Sequence, residues 1–280
     1  MDTIFHPDAG HSGYTLGWVD SWREGEHARL EDYVAEEVPV VLVYNNQPHV
    51  VMLLTPLDLE DFALGFSLTE GIIADASEAR SIKVIQRAKG IEIRIKIPDS
   101  RFSCIQDQSR HMTGRTGCGL CGSTRLEQAI RQPLPVGAGL SIEADVLLTA
   151  LNDMKQHQTL NRLTGSVHGA AWFEPEHGVT LIREDVGRHN ALDKLIGVLA
   201  RQKTDFESGC LLVTSRASYE MVQKAALVGI TIMAAISAPT ALAINLAETS
   251  GLTLVGFARK NQYVIYTHSQ RILHNYTIAS

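Results

Sequence analysis

GCLLVTSRASYEMVQKAALVGITIMAAISAPTALAINLAETSGLTLVGF, residues 209–257, is the stretch that decides the fold. Gly209 to Thr214, Ile230 to Ile236 and Thr253 to Phe257 are apolar runs of strand length. Between them, Ser218 to Val228 and Pro239 to Thr249 carry apolar residues at helical spacing. Strands alternating with helices of about ten residues define a layered α/β domain, read here as having a largely parallel sheet. In such sheets ligands bind beyond the carboxyl ends of the strands.

Working outward, Tyr263 to Thr267 reads as a last strand and Asn190 to Ala200 as a helix. Ser166 to Phe173 and Gly178 to Arg183 read as a hairpin across Glu174-Pro175-Glu176-His177, and Ala144 to Leu160 as an amphipathic helix. Pro133-Leu134-Pro135 marks a boundary, so the α/β domain is assigned to 136–280. Before it, residues 39–135 read as a smaller α+β domain. Glu37 to Tyr44 and His49 to Leu54 form a hairpin over Asn45-Asn46-Gln47-Pro48, and Ser81 to Gln86 and Gly90 to Pro98 are two further strands. Thr55-Pro56 starts a helix with Thr55 as its cap, Leu59, Phe62, Ala63 and Phe66 follow at helical spacing, and Gly71 closes it. Residues 1–38 read as a polar arm, partly ordered and anchored by Trp18 and Trp22.

The 280 residues are 45% hydrophobic and 20% charged, enough for one large core or two smaller ones. A net charge of −6 argues against a general nucleic-acid binder. Basic character is local: no acid follows Glu248, while Arg259, Lys260, His268, Arg271 and His274 do, which suits an anionic ligand better than a polyanion. No window holds 18 uninterrupted apolar residues, and Met1 to Gly10 has two acids and no apolar run, so no membrane span and a cytoplasmic location are expected.

The α+β domain is expected to end in a flexible loop around Thr113-Gly114-Arg115-Thr116-Gly117-Cys118-Gly119-Leu120-Cys121-Gly122. Its four glycines in ten residues argue against helix or strand. Between Gln108 and Leu126 there is no acid, while Arg110, His111, Arg115 and Arg125 supply charge that favours thiolate over thiol. Zinc ordinarily takes four ligands, and Cys104 and Cys210 stand alone. A thioredoxin-like site places its cysteines between a strand and a helix, whereas this pair follows the long polar stretch Asp99 to Arg115. A chain with four cysteines and no secretory signal gives little reason for a structural disulfide. By residue chemistry alone, sulfur transfer through a persulfide, metal binding and an inert pair stay open.

Polar clusters fall at the ends of strands. Glu184-Asp185-Val186-Gly187-Arg188-His189-Asn190 opens a helix, with His189 or Asn190 able to cap it and Arg188 and free amides facing an anion. Thr214-Ser215-Arg216-Ala217-Ser218 and Ser237-Ala238-Pro239-Thr240 repeat the arrangement. Any one of them reads equally as helix capping; three together with two arginines point to a phosphate or nucleotide pocket. His168, in an apolar strand, reads as a hydrogen-bonded core residue before a catalyst. Glu184 and Asp185 are adjacent and in an extended chain point opposite ways, so they need not form an acid/base pair.

Taken together, Gly114 to Gly122, Glu184 to Lys194, Ser215 to Lys224 and Ser237 to Thr240 resemble FdhD, the family of sulfur-carrier accessory proteins of formate dehydrogenase. The resemblance runs from about Val40 to His268. It implies a small N-terminal domain joined to a cytidine-deaminase-like α/β domain, in a homodimer. It also implies a sulfurtransferase that takes sulfur from a cysteine desulfurase and passes it to the molybdenum or tungsten bis-guanine-dinucleotide cofactor, as bound substrate, before insertion into formate dehydrogenase. Cys118 matches the persulfide-forming cysteine, and Cys121 the second thiol, which relays sulfur or resolves the persulfide. The cofactor-contacting stretch falls on Phe257-Ala258-Arg259-Lys260-Asn261-Gln262, where Arg259 and Lys260 can meet phosphate charge and Phe257 can pack on a planar base. Where relatives often read Ser-Gly-Arg, this chain has Thr214-Ser215-Arg216, which keeps the arginine but not the glycine's room for close approach.

Deaminase chemistry is not expected with the fold. Zinc deaminases need a Glu two residues after the first ligand and a later PCxxC. Here His168-Gly169-Ala170 lacks the acid and Thr214 to Tyr219 lacks cysteine, so no zinc is expected. Two other classes remain: a cofactor chaperone without sulfur transfer, which tolerates loss of both thiols, and a thiol oxidoreductase cycling a Cys118–Cys121 disulfide without a nucleotide.

Overall fold

The computed structural model describes residues 13–103, 133–259 and 262–274. The chain begins with a hairpin, β1 (Tyr14–Arg23) and β2 (Glu26–Ala35), paired along its whole length. Where the sequence reads a partly ordered polar arm, the structure has two ten-residue strands.

β3 (Val38–Tyr44), β4 (Gln47–Leu54), β5 (Ser81–Arg87) and β6 (Gly90–Lys96) form a sheet in the order β4-β3-β6-β5. One face, with Val40, Leu42, Ile91, Ile93 and Ile95, packs on α1 (Leu59–Thr69) through Phe62, Ala63 and Phe66. The predicted cap of α1 is corrected: Asp58, in a left-handed conformation (φ 52°), precedes the helix, and Thr55 bonds elsewhere. Gly71 follows the helix with φ 64°, as the sequence leads one to expect.

The second unit is built on a six-stranded sheet of β8 (His168–Glu174), β9 (Gly178–Asp185), β10 (Cys210–Val213), β11 (Ile232–Ala235), β12 (Thr253–Arg259) and β13 (Gln262–Thr267), in the order β13-β12-β11-β10-β8-β9. Only β10, β11 and β12 run parallel to one another. β8, β9 and β13 join antiparallel, so the sheet is mixed rather than largely parallel. The parallel core is the part joined by helices, α5 (Tyr219–Leu227) and α6 (Ala241–Ser250), whereas the flanks come from two hairpins.

α4 (Arg188–Gln202), α5 and α6 cover one face of this sheet, meeting Trp172, Leu211, Met233 and Leu254. α2 (Ala144–His157) covers the other, meeting Phe173, Leu212, Ala234 and Val255. The short α3 (Thr159–Thr164) follows α2, and β7 (Ile142–Glu143) pairs with β14 (Ile272–Leu273). The predicted single helix from 144 to 160 is therefore two, broken at Gln158. Among the described residues no helix is long and apolar enough to cross a membrane.

α1 and α4 join the two units, and their contact explains two glycines in helix interiors. A Cβ on Gly65 would run into the backbone carbonyl of Asp193, and one on Gly197 into that of Asp61. Backbone meets backbone, so neither clash can be relieved by turning a side chain. Gly197→Ala is expected to lower stability by about 2–3 kcal/mol, the cost of overpacking, measured by urea unfolding. Helix propensity alone would raise it by about 1 kcal/mol, and an increase of that kind would show that the helices do not touch there.

Candidate functional site

The carboxyl ends of β10, β11 and β12 gather the predicted polar clusters along one edge. His168 at the start of β8 pairs with Asp185 at the end of β9. The Gly169 amide donates to Thr214 Oγ1 at 2.9 Å, fixing the segment after β10. Ala217 bridges Pro239, and the Thr240 amide donates to the Ala217 carbonyl at 3.1 Å. The Phe257 amide in turn donates to the Ser237 carbonyl at 3.2 Å. Residues 168–169, 185–189, 214–218, 237–240 and 257–262 are thus one continuous rim.

At one end of this rim Phe257 is half-buried with φ 52°, at an irregularity between Gly256 and Arg259 that turns the strand. Gly256 has to be small, since a Cβ there would come within 2.8 Å of Pro239 Cδ. Ala258 is buried, Arg259 is exposed and Gln262 sits opposite it on β13. Of the predicted cofactor-contacting residues, Phe257, Ala258, Arg259 and Gln262 are thereby brought beside Ser237 and Pro239, while Lys260 and Asn261 lie outside the described residues. Cys118 and Cys121 also lie outside them, as does the predicted loop between 104 and 132.

The other end of the rim is cationic and incompletely bonded. His189 Nε2 lies 2.7 Å from Glu220 Oε2. Among the described residues, Arg188 Nε, Ser218 Oγ and Glu220 Oε1 are enclosed with no hydrogen-bond partner. A buried polar atom left unmet costs about 1–3 kcal/mol, and an anion accepting from Arg188 and Ser218 would remove part of that cost. Burial, then Arg188 and His189, hold the half-buried His168 imidazole below its ordinary value. His168 is thus a neutral rim residue rather than a core one.

The segment from Glu184 to Lys194, predicted to face an anion with free amides, is mostly structural. Glu184 accepts from the amides of Leu160 (2.8 Å) and Asn161 (2.9 Å), capping α3 from a distance. Asp185 points the other way, as predicted. It accepts from the Thr55 amide at 3.0 Å in the first unit, and fully buried Lys194 lies 2.7 Å away. Lys194 also donates to the Thr55 carbonyl, and Asn190 donates to Leu53 and Asp185 instead of capping. The α4 cap is Gly187, whose amide is taken by Asp185. Of the three predicted strand-to-helix caps, Thr240 alone uses its side chain, accepting from Ala243 at 3.3 Å.

A second buried group escapes the sequence reading. Lys224 donates to Thr69, Glu70 and both oxygens of Asp193 at 2.8–3.0 Å. Burial opposes its charge, but Asp193 and Glu70 outweigh it and hold the ammonium above its ordinary value. Arg271, which the sequence offers to an anionic ligand, is corrected too: its guanidinium donates to the carbonyls of Gly137, Ala138 and Gly251. A cleft of about 1170 Å³ between the units, lined by Leu64, Leu68, Lys203, Phe206 and Leu227, lies at the opposite ends of α4 and α5 from the rim. Two of its cations are already paired, Arg101 with Glu78 and Arg201 with Asp61. The unmet donors single out the rim rather than this larger space.

Fold and rim together define a two-unit α/β protein with an anion-receiving strand edge. The chain belongs to the FdhD/NarQ family, whose model matches residues 35–273. It is 51% identical over 261 residues to the sulfur carrier protein FdhD of Cupriavidus necator, covering 93% of this chain and 91% of that one. It is 50% identical over 260 residues to the sulfur carrier protein FdhD of Xanthomonas euvesicatoria pv. vesicatoria, covering 93% and 92%. The crystal structure of a candidate formate dehydrogenase accessory protein from Desulfotalea psychrophila shares the fold with a TM-score of 0.71 and 24% identity, over 93% of this chain and 99% of that one.

The environment of His168 can be measured by NMR titration of its imidazole. The midpoint is expected below 6.5 and to rise in Arg188→Gln. A histidine shifted this way adds stability above its unfolded value that is lost as pH falls through it. A midpoint at or above 6.5 would show that Arg188 does not face the ring.

Proposed function

We propose that the chain is a sulfurtransferase of the cytoplasm, accepting persulfide sulfur on Cys118 from a cysteine desulfurase and passing it to a molybdenum or tungsten bis-guanine-dinucleotide substrate destined for formate dehydrogenase. The observation that carries this reading is the family match, which spans both thiols and the whole rim and joins this chain to relatives named sulfur carrier proteins. The layering of helices on both faces of the second sheet fits a cytidine-deaminase-like fold with its zinc residues replaced.

The chemistry follows from thiol exchange. The Cys118 thiolate attacks the outer sulfur of the donor's persulfide, the donor's S–S bond breaks, and the donor cysteine leaves as thiolate. Cys118 then carries the sulfur as a persulfide. Attack by the Cys121 thiolate on the Cys118 sulfur would expel hydrosulfide and leave a Cys118–Cys121 disulfide, which an external dithiol reduces. Cys210 cannot share this role, because burial pushes its thiol up to about 12.

On the substrate side, the rim supplies donors where phosphate charge is expected. Arg188 and Ser218 have unmet hydrogen-bonding capacity at one end, while Arg259 is exposed beside Phe257 at the other. A guanine base on Phe257 and phosphates toward the arginines would use both ends.

In cells lacking their own copy of this protein, the wild-type chain is expected to restore formate dehydrogenase activity and Cys118→Ala to leave less than about 1% of it, since no other thiolate stands in for the lost nucleophile. Full activity with Cys118→Ala would leave the pocket without sulfur transfer.

A further inference from the structure

Two outward faces of the described chain are apolar, uncovered and opposite in charge. The first belongs to the β1–β2 hairpin. Strand alternation places Leu16, Trp18 and Trp22 on one face, 43%, 51% and 72% exposed, with Tyr33 opposite Leu16 and Glu31 opposite Trp18. Residues 14–35 hold five acids, Asp20, Glu24, Glu26, Glu31 and Asp32, against Arg23 and Arg29. None of residues 18–34 is buried. A two-stranded hairpin is marginal by itself in water, so this one stands out from the body without the cover that ordinarily stabilises such a ribbon.

The second face is the side of the β4-β3-β6-β5 sheet turned away from α1. Val51 and Leu53 are 62% and 55% exposed there, with Val41 paired to Val51. Beyond them β5 and β6 present Lys83, Arg87, Arg94 and Lys96 around one acid, Glu92. Only Glu36 and Glu37 join the hairpin to β3, and in this arrangement the hairpin leaves Val51 and Leu53 of its own chain bare.

We propose that these faces are partners in a dimer of this chain: the acidic aromatic hairpin of one copy lies on the basic apolar sheet face of a second, and the second hairpin lies reciprocally on the first. Trp18 and Trp22 cover the valine and leucine patch while Glu31 and Asp20 meet Arg94 and Lys83. A two-fold axis makes both contacts at once and closes the assembly. A hairpin face about 33 Å by about 10 Å, used twice with both surfaces counted, buries about 1,300 Å², within the range of about 1,200–2,000 Å² typical of stable complexes.

Sedimentation velocity on the full chain tests this with charge reversals at exposed positions, circular dichroism confirming that each variant folds. The wild type is expected to be a dimer at 10–50 μM, roughly the range in which an interface of this size is populated. Asp20→Lys with Glu31→Lys on the hairpin, or Lys83→Glu with Arg94→Glu on the sheet, is expected to weaken it by at least about tenfold, through like charges set face to face. Mixing the two variants is expected to restore a mixed dimer, because each hairpin then meets a sheet of opposite charge. A monomeric wild type, a dimer indifferent to both reversals, or no recovery on mixing would each overturn the proposal, the first leaving these faces to a different protein.

Discussion

The structure depends on how closely α1 and α4 approach. Gly65 and Gly197 let their backbones touch, and the charged groups of α4 can then be buried against the first unit. Asp193 meets Lys224 and Thr69, and Lys194 meets Asp185 and Thr55. Buried ions gain little over a well-packed apolar interface, but losing one member leaves an uncompensated charge that costs about 3–5 kcal/mol. Such pairs fix one docking geometry more than they add stability.

α4 makes that geometry matter for function. Its first turn carries Arg188 and His189 on the rim, and its middle carries Asp193, Lys194 and Gly197 at the junction. A shift of the first unit would travel along a rigid helix to the residues proposed to receive phosphate. Asp185 works similarly, at the end of a rim strand while holding the Thr55 amide of the other unit. The family's most conspicuous run of polar residues therefore serves assembly first, and ligand binding through the few groups it leaves unmet.

Much of this was legible from local pattern. The strands and helices from Gly209 to Thr267 follow from apolar runs and helical spacing, and the clustering of Thr214–Ser218, Ser237–Thr240 and Phe257–Gln262 follows from the rule that parallel strands end at ligands. What escaped depends on long-range partners. Asp185 and Thr55 are 130 residues apart, so nothing near Asp185 in sequence says that its carboxylate is already taken. Arg271 looks available until the carbonyls of Gly137 and Ala138 reach it from 134 and 133 residues away. The β1–β2 hairpin is hidden for a different reason: neither strand has the buried alternating face that marks a strand in sequence, because its outer side is bare.

Sulfur acceptance at a rim-bearing α/β protein is the central claim. It is tested most directly by intact-protein and peptide mass spectrometry after incubation with a cysteine desulfurase and cysteine, before and after reduction. The account predicts a reducible gain of one sulfur, about 32 Da, on the peptide holding Cys118, as thiolate attack on a persulfide requires. No gain there, or a gain on Cys210 alone, would contradict it.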